Sequence, residues 1–516
     1  LMDFVPLDFC PDLDTAWMVR PGGCYEMDFL APLARGTYGT VGSATYVGNG
    51  VTTPAITSAP LLCKMFRSVS GAVRFISFGE TTISEIASDG TVTSRGTGYN
   101  ASTTGWQAAA FGDAVIAVNY LDVPQVCTGS GFGTLSGSPP KARLIAVNAE
   151  FVMLADYNDG TAYADGWWCS GIGNHQTWSA SASTQAASGR ILSEPGPIRA
   201  LVAFKEGFVV FKDNAMFQMD YIGPPYIWSV KRISNRIGCP GPDAVTEMGG
   251  RLFWYHPSGF YAWDGANLQT VGDKVINDFN IYTDQVGTSS ELSYESTDIT
   301  LRGASKVQAV ADDVENVVAF CATGQRGTGE GATIWQWTYA LNTLTGKWGR
   351  WTIDSMGEGG DDSTFLYVKA TTADVQSFKQ AKNARLLYVA TRNAYRFRYF
   401  GYPLAIDTTT APAQPFTPRV YLGAVGDYGR SSRLSRLYVR DLESTQAGTY
   451  SVSVTSKNSE SGATTTSSGS GVENAILTAY DLRAHGKIHN INLSLEHGKT
   501  AEIAGVALES IPEGRR

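Results

Sequence analysis

Histidines are the first residues of this chain to test for chemistry, because imidazole nitrogens bind zinc and act as general bases. Among the five histidines, His485 and His489 are four residues apart, a spacing that would place both on one face of a helix. The surrounding sequence KIHNINLSLEHG alternates with a period of two, which is typical of a strand. Cysteine or carboxylate partners at ligand spacing are missing. The pattern therefore favours surface histidines on an edge strand over a zinc site.

Clustered carboxylates are the next candidates for metal binding or acid–base chemistry. The stretch 156–160 (DYNDG) resembles a calcium loop, but it lacks the alternating ligands and the final Glu. An Asp/Asn-rich turn is the favoured interpretation. The pairs Asp312-Asp313 and Asp361-Asp362 could serve a retaining glycosidase only if two carboxyls lay about 5 Å apart. Adjacent loop acids are usually solvated, and we predict no enzyme, metal or cofactor.

Two groups of side chains are candidates for interaction. Trp167 and Trp168, with Trp178 nearby, are predicted to be exposed and could stack on sugar, but a contact with a blade or another subunit is the favoured interpretation. The sequence GRSSRLSR contains three further candidates, Arg430, Arg433 and Arg436. These arginines either pair across strands with acids such as Asp441 and Glu443 or contact an acidic protein or DNA.

The elements that must position these residues are strands. Between residues 198 and 272, short apolar-alternating runs are separated by Gly-, Asn- and Asp-rich turns, which predicts consecutive antiparallel hairpins. Hairpins are predicted to start near Val73, Val115, Phe151, Phe208, Leu252, Val317 and Leu387. The first five starts fit propeller blades of four strands, which take roughly 40–50 residues each. We predict an all-β fold with an irregular β-propeller-like main domain and inserted Gly/Ser/Thr-rich loops.

Composition shifts divide the chain into four parts. Residues 1–60 are predicted to form an extended arm, and residues 61–402 the propeller-like domain. A Pro/Thr-rich linker follows at 403–418, and residues 419–516 form a smaller β-sandwich-like unit of six strands. Within that unit, the Ser/Thr/Gly-rich stretch 455–471 is predicted to be a disordered hairpin tip.

Charge and cysteine content restrict the class of protein. The net charge of −8 argues against a general binder of nucleic acid or anionic membranes. Charged residues make up 17% of the chain against roughly 25% in typical proteins, which favours surface hidden in subunit contacts, or simply a Ser/Thr/Gly-rich polar surface. The seven cysteines include no CxxC pair, so most are predicted to be reduced and buried, as in a protein folded in a reducing cytosol.

Three motifs in the hairpin region point to a known family. A turn of the type M-x-Y-x-G-x-P is followed by a Gly-Cys-Pro turn and then by a G…FW…GFY…DG hairpin. Their residues are Met219, Tyr221, Gly223, Pro225, Gly238, Cys239, Pro240, Gly250, Phe253, Trp254, Gly259, Phe260, Tyr261, Asp264 and Gly265. In this region, and more loosely over 418–510, the chain resembles the tail nozzle proteins of short-tailed bacteriophages, also called packaged-DNA stabilisation or tail tubular B-type proteins.

This resemblance implies a structural virion protein assembled in the host cytoplasm. Its subunits would form a homo-oligomeric ring, expected to be a hexamer, below the head-to-tail adaptor and portal. The ring would hold tail fibres or spikes outside and would retain the packaged DNA, which exits through the lumen without sequence-specific binding. We expect an acidic or polar lumen, because each contact of a basic side chain with phosphate adds to DNA affinity. The alternative is a carbohydrate-binding or glycan-cleaving propeller that acts as a receptor-binding or depolymerase subunit.

Overall fold

A computed structural model shows a chain that is almost entirely β. The structure describes residues 6–12, 23–46, 56, 58, 60–101, 105–148, 150–284, 307–326, 333–353, 365–379, 385–390, 396–401, 419–426, 432–441, 449–457, 464–472, 477–486, 488–495 and 502–512. The predicted linker at 403–418 lies outside these residues.

Five short strands precede the first blade. They are β1 (Asp8–Phe9), β2 (Gly23–Asp28), β3 (Leu30–Pro32), β4 (Tyr38–Thr40) and β5 (Gly42–Tyr46).

Five four-stranded antiparallel sheets follow in sequence, which we number as blades 1 to 5. Blade 1 is β6 (Pro60–Arg67), β7 (Val73–Gly79), β8 (Thr82–Ile86) and β9 (Val92–Thr97), and blade 2 is β10 (Gln107–Phe111), β11 (Ala114–Val118), β12 (Gln125–Cys127) and β13 (Gly133–Thr134). Blade 3 is β14 (Lys141–Asn148), β15 (Phe151–Asn158), β16 (Ala162–Cys169) and β17 (Ala187–Arg190). Blade 4 is β18 (Ala200–Phe204), β19 (Gly207–Phe211), β20 (Met216–Gly223) and β21 (Ile227–Ser234), and blade 5 is β22 (Val245–Met248), β23 (Arg251–His256), β24 (Gly259–Trp263) and β25 (Leu268–Thr270).

Two further blades complete the ring within the described residues. Helix α1 (Ile276–Asp284) leads to blade 6, which is β26 (Gln308–Asp312), β27 (Val317–Arg326), β28 (Thr333–Asn342) and β29 (Trp348–Ile353). Blade 7 contains β30 (Phe365–Tyr367), helix α2 (Thr372–Lys379), β31 (Leu386–Ala390) and β32 (Arg396–Gly401). Its fourth strand is β5 from the chain's beginning, which pairs with β32, so distant parts of the sequence close the last blade together.

The ring closes where blade 7 meets blade 1. The amide of Met65 donates to the Lys369 carbonyl at 2.9 Å, and the amide of Lys369 donates to the Cys63 carbonyl at 2.9 Å. Separate apolar cores fill the spaces between neighbouring blades. Because blades cover both faces of the second strand, strands such as β11 and β19 are buried at every position and are apolar throughout.

The remaining strands form a sandwich joined to blade 6. They are β33 (Arg419–Gly426), β34 (Ser432–Asp441), β35 (Thr449–Lys457), β36 (Thr464–Val472), β37 (Leu477–Gly486), β38 (Ile488–Leu495) and β39 (Glu502–Pro512). One sheet has the strand order β1-β2-β33-β38-β35-β36. The other continues from blade 6 through β29-β3-β4-β39-β34-β37, so the two units share one sheet.

The predicted hairpin starts agree closely with the second strands of the seven blades, which begin at residues 73, 114, 151, 207, 251, 317 and 386. The all-β, propeller-like fold is confirmed.

The residues of the predicted arm instead contribute five strands to three sheets. The prediction of a disordered tip was wrong at 455–457 and 464–471, where β36 pairs with β35 from Thr464↔Lys457 to Val472↔Thr449. Residues 458–463 lie outside the described residues. A polar strand without alternation gives no hydrophobic signal to detect.

Candidate functional site

Exposed apolar side chains are concentrated on one hairpin of blade 4, formed by β20 and β21, which we call the blade 4 hairpin. Tyr226 is 78% exposed and Ile222 is 55% exposed, with Tyr221 and Val230 at 39% and 40%. Of the ten large apolar side chains that are exposed in the described residues, these four fall within ten consecutive positions. An exposed patch of this kind marks a contact surface more often than a ligand pocket.

The turn of the hairpin has a special backbone. Gly223 has a φ of 76°, the Pro224-Pro225 peptide bond is cis, and Ile227 has a φ of 61°. The turn is the M-x-Y-x-G-x-P motif of the sequence, and it presents Ile222 and Tyr226 at the tip.

The base of the hairpin is held by buried aromatic residues. Trp228 is 5% exposed, and its ring centroid lies 5.2 Å from that of Phe151 and 5.2 Å from that of Phe208. Its indole Nε1 donates to the Cys169 sulfur at 3.3 Å. The tip is therefore exposed while the strands that carry it are anchored in the core between blades 3 and 4.

A second cluster lies on the propeller axis and contains Lys64, Gln107, Asp243 and Lys369; we call it the axial cluster. Lys369 Nζ is 2.7 Å from Asp243 Oδ1 and donates to the Pro242 carbonyl at 3.1 Å. Gln107 Nε2 donates to the same Oδ1 at 3.5 Å. Contacts among blades 7, 5 and 2 can form only across the axis, so side chains bridge the centre of the propeller.

Lys64 joins the axial cluster from blade 1. It pairs with Lys369 in a parallel β-bridge, and its Nζ donates to the Ala108 carbonyl at 2.8 Å. The pKa of Lys64 is lowered to about 8, first by burial and then by the neighbouring charge of Lys369, which Asp243 only partly offsets. Two ammonium groups thus share one carboxylate in a partly desolvated place.

A third polar group joins the propeller to the sandwich. Arg350 in β29 is buried, and its guanidinium contacts Asp28 at 3.0 Å and Asp278 at 3.2 Å. It also donates to the Met27 carbonyl at 3.1 Å and lies 4.3 Å from the Trp337 ring centroid. Since Asp28 ends β2 and Asp278 lies in α1, one side chain connects three elements. Its geometry is that of a structural ion-pair network.

The predicted tryptophans do not form an exposed site. Trp167 is 6% exposed and packs in the core between blades 3 and 4, and Trp178 is 2% exposed. Trp168 is half-buried, and its Nε1 donates to the Trp178 carbonyl at 2.9 Å. The prediction that these rings are exposed was wrong, because Trp167 packs on the side of blade 4, and Trp168 and Trp178 pack on the side of blade 2. A contact between blades, the other interpretation, agrees with their positions.

The structure describes two of the three candidate arginines. Arg430 lies outside the described residues, whereas Arg433 and Arg436 are exposed on β34. In register, Arg433 faces His485 on β37, and Arg436 faces Asp481 on β37 and Glu509 on β39. The acids opposite Arg436 therefore differ from Asp441 and Glu443, which follow it in sequence.

The histidines are separated by the strands that carry them. His485 lies near the end of β37, whereas His489 is fully buried in β38, which lies between β33 and β35, and its Nδ1 is 2.8 Å from Ser456 Oγ. The prediction of a surface histidine on an edge strand was wrong for His489. Within the described residues, His, Cys, Asp and Glu form no group of three or more suited to a metal ion.

The calcium-like stretch is the end of β15 followed by a turn: residues 156–158 lie in the strand, and the predicted Asx turn begins at Asn158. Asn158 Oδ1 accepts from the Gly160 amide at 2.9 Å, and Asp159 Oδ1 accepts from the Thr161 amide at 3.2 Å. Asp156 contacts Arg143 at 2.7 Å instead of a metal ligand set. These bonds are the local turns that Asx side chains form.

His256, Ser258 and Tyr261 form a series of side-chain contacts that was not predicted from the sequence, although His and Ser also occur in catalytic sites. In the turn between β23 and β24, His256 Nδ1 is 2.6 Å from Ser258 Oγ, which is 2.9 Å from Tyr261 Oη. The Ser258 amide also donates to His256 Nδ1, at 3.2 Å. Burial lowers the pKa of His256. Because His256 Nδ1 contacts both the hydroxyl and the amide of Ser258, the imidazole stabilises the turn between β23 and β24.

The cysteines match their prediction of burial. All seven are buried thiols. Desolvation raises the pKa of Cys63, Cys239 and Cys321 to about 12, which makes these thiols poor nucleophiles.

No helix in the described part of the chain combines the length and apolar character needed to cross a bilayer.

No family model and no curated protein matches the chain. It is similar to the solved structure of virginiamycin B lyase from Staphylococcus aureus, with 10% identity over 70% of this chain and 99% of that chain and a TM-score of 0.38. It is also similar to the computationally designed Ika8 protein, with 13% identity over 69% of this chain and 100% of that chain and a TM-score of 0.36. A further similar structure is the WD40 domain of SCAP from fission yeast, with 10% identity over 73% of this chain and 92% of that chain and a TM-score of 0.32. These similarities are too low to indicate a function, and the propeller follows from its blades.

Proposed function

We propose that this chain is a structural subunit of a phage virion that forms the tail nozzle ring of a short-tailed bacteriophage. In this role it packs against copies of itself, binds the head-to-tail adaptor and tail fibres or spikes, and surrounds the exit path of the packaged DNA. The observation that carries the proposal is the blade 4 hairpin. Its exposed tip is the same M-x-Y-x-G-x-P motif on which the resemblance to nozzle proteins rests.

The other motifs of the resemblance have structural positions. Gly238 approaches the chain so closely that a Cβ there would lie 2.0 Å from the Lys212 carbonyl oxygen. Trp254 Nε1 donates to the Gly238 carbonyl at 2.9 Å, and Cys239 is fully buried beside it. These residues hold blades 4 and 5 together. Of the three motifs, the M-x-Y-x-G-x-P turn supplies the exposed apolar side chains, as a contact surface requires.

The axial cluster affects where DNA could pass. Because side chains from four blades meet on the axis, the centre of the propeller is no passage for a duplex. In the proposed ring, the exit channel therefore lies between subunits, on the axis of the assembly. We retain the expectation that this lumen is acidic or polar.

The oligomeric state of the purified full chain tests the proposal, measured by native mass spectrometry and electron microscopy. We expect a closed ring, with six copies as the expected number. The double variant Ile222→Ser/Tyr226→Ser should weaken ring formation by at least about tenfold, since each removed apolar anchor at the centre of an interface is worth about 1–3 kcal/mol.

A matched control removes equally exposed apolar side chains elsewhere. Val69 is 79% exposed in blade 1 and Leu344 is 66% exposed in blade 6. The variant Val69→Ser/Leu344→Ser should form the ring as the unchanged chain does. A chain that stays monomeric at every concentration contradicts the proposal, and so does a hairpin variant with unchanged assembly. A monomer that cleaves glycan would instead favour the carbohydrate-active alternative.

A further inference from the structure

We propose that the axial cluster binds a small free oxyanion such as inorganic phosphate, held between the ammonium groups of Lys64 and Lys369. This site is independent of the nozzle proposal, because it lies within one propeller and requires no second copy.

Among the described residues, the geometry brings the two lysines together with one carboxylate, that of Asp243. Lys64 and Lys369 are paired in one β-bridge, and residues paired in this way point to the same side of the sheet. The electrostatic neighbours that act on Lys64 are Lys369 and Asp243. With two ammonium groups and one carboxylate, the cluster carries one positive charge in excess. A bound anion would neutralise that charge.

The hydrogen-bond donors are directed toward the axis from different blades. The Lys64 ammonium has three N–H groups and donates one to the Ala108 carbonyl, while Lys369 donates to Asp243 and Pro242. The amide of Gln107 contacts the same carboxylate. An oxyanion at this place would accept charge-assisted hydrogen bonds from both lysines, which are stronger than bonds between neutral groups.

The cluster is partly open to solvent, so a small ion can reach it. The side chain of Lys369 is 23% exposed, and that of Asp243 is 16% exposed. The ligand must be small, because Gln107, Asp243 and Lys369 from blades 2, 5 and 7 already contact one another on the axis. This restriction favours a small inorganic oxyanion over a polymer such as nucleic acid.

Calorimetric titration of the full chain with inorganic phosphate, against chloride at equal ionic strength, tests the site. We expect saturable binding to the unchanged chain. Lys64→Met and Lys369→Met should each weaken it by about tenfold or more, the loss of one charge-assisted hydrogen bond. Lys64→Arg keeps the charge and should retain binding, which separates loss of the site from loss of folding. Lys231 is exposed on β21, and Lys231→Met is the matched control with unchanged binding.

Proton uptake gives a second measurement that non-specific anion binding would not share. Because the pKa of Lys64 is about 8, phosphate binding near that pH should draw a proton onto this lysine. Titrations in two buffers with different ionisation heats should reveal the uptake in the unchanged chain and its loss in Lys64→Met. The proposal would be overturned if the unchanged chain showed no saturable phosphate binding, or if both methionine variants bound phosphate as tightly as the unchanged chain.

Discussion

On the propeller axis, Lys64 and Lys369 lie beside the carboxylate of Asp243, whereas the outer hairpin of blade 4 exposes Ile222 and Tyr226. Charge is thus collected where the blades converge, and apolar surface is displayed where one blade ends. In a monomeric protein the apolar side chains would be expected inside and the lysines outside.

The two regions differ in what could satisfy them. For the axial cluster we propose a small counter-charge, because other blades already occupy the space across the axis. For the blade 4 hairpin we propose a large partner, because Ile222 and Tyr226 are exposed at its tip. The contrast separates a candidate ligand site from a candidate assembly site in one scaffold, and each can be altered without touching the other.

The largest effect should come from removing the anchor of the hairpin. Trp228→Ala removes a buried ring that packs against Phe151 and Phe208, and we expect it to lower the free energy of unfolding by about 3–5 kcal/mol. Tyr226→Ala, two residues away but exposed, should change the free energy by less than about 0.5 kcal/mol. Urea unfolding of both variants measures the difference. An equal loss of free energy of unfolding in the two variants would show that the tip of the hairpin is as important for folding as its base.

A smaller effect should come from the Gly-Cys-Pro turn between blades 4 and 5. In Gly238→Ala, the added Cβ would lie 2.0 Å from the Lys212 carbonyl oxygen and 2.4 Å from that of Asp213, so the backbone must shift. We expect a loss of about 1–3 kcal/mol in the free energy of unfolding. Gly241 lies three residues on, where an added Cβ would have no atom within 4 Å, and Gly241→Ala should be nearly neutral. A neutral Gly238→Ala would remove the structural reason for this motif.

The hairpins could be predicted from the sequence because blade strands carry local signals. Strands β19 and β23 are short apolar runs bounded by turn residues, and their starts were predicted to within one residue. Outer strands were missed where their sequences are polar, as in β36 and in β17, which lies within a Ser-rich loop. An outer strand has one paired edge and little buried surface, so its composition resembles that of a loop.

The axial cluster could not be predicted from the sequence. Lys64 and Lys369 are separated by more than half of the chain, and they meet only because β5 and β30 to β32 close the ring. Nothing near either lysine in sequence marks it as unusual. By contrast, the exposed hairpin was visible as a motif, because its Gly, Pro and Tyr residues are close together in the sequence.

The smallest effect concerns pH and tests the axis alone. Burial, and then Lys369, lower the pKa of Lys64 from its usual 10.5 to about 8. Between these values the unfolded chain keeps a proton that the folded chain has released. Stability from this residue therefore rises with pH across the window. Buried thiols act in the opposite direction: burial raises the pKa of Cys63 from 9.0 to about 12, so only the unfolded thiol ionises.

Comparison with Lys64→Met isolates the lysine, because the cysteines are common to both chains. Lys64 is partly exposed, and solvent screening reduces the expected difference. We expect the unchanged chain to gain about 1–2 kcal/mol relative to the variant as pH rises through this window, measured by urea unfolding at each pH. Phosphate should reduce the gain, since a bound anion favours the protonated lysine. A difference that stays constant with pH would mean that the axial ammonium groups are ordinary surface charges, and the contrast between axis and hairpin would then be one of shape alone.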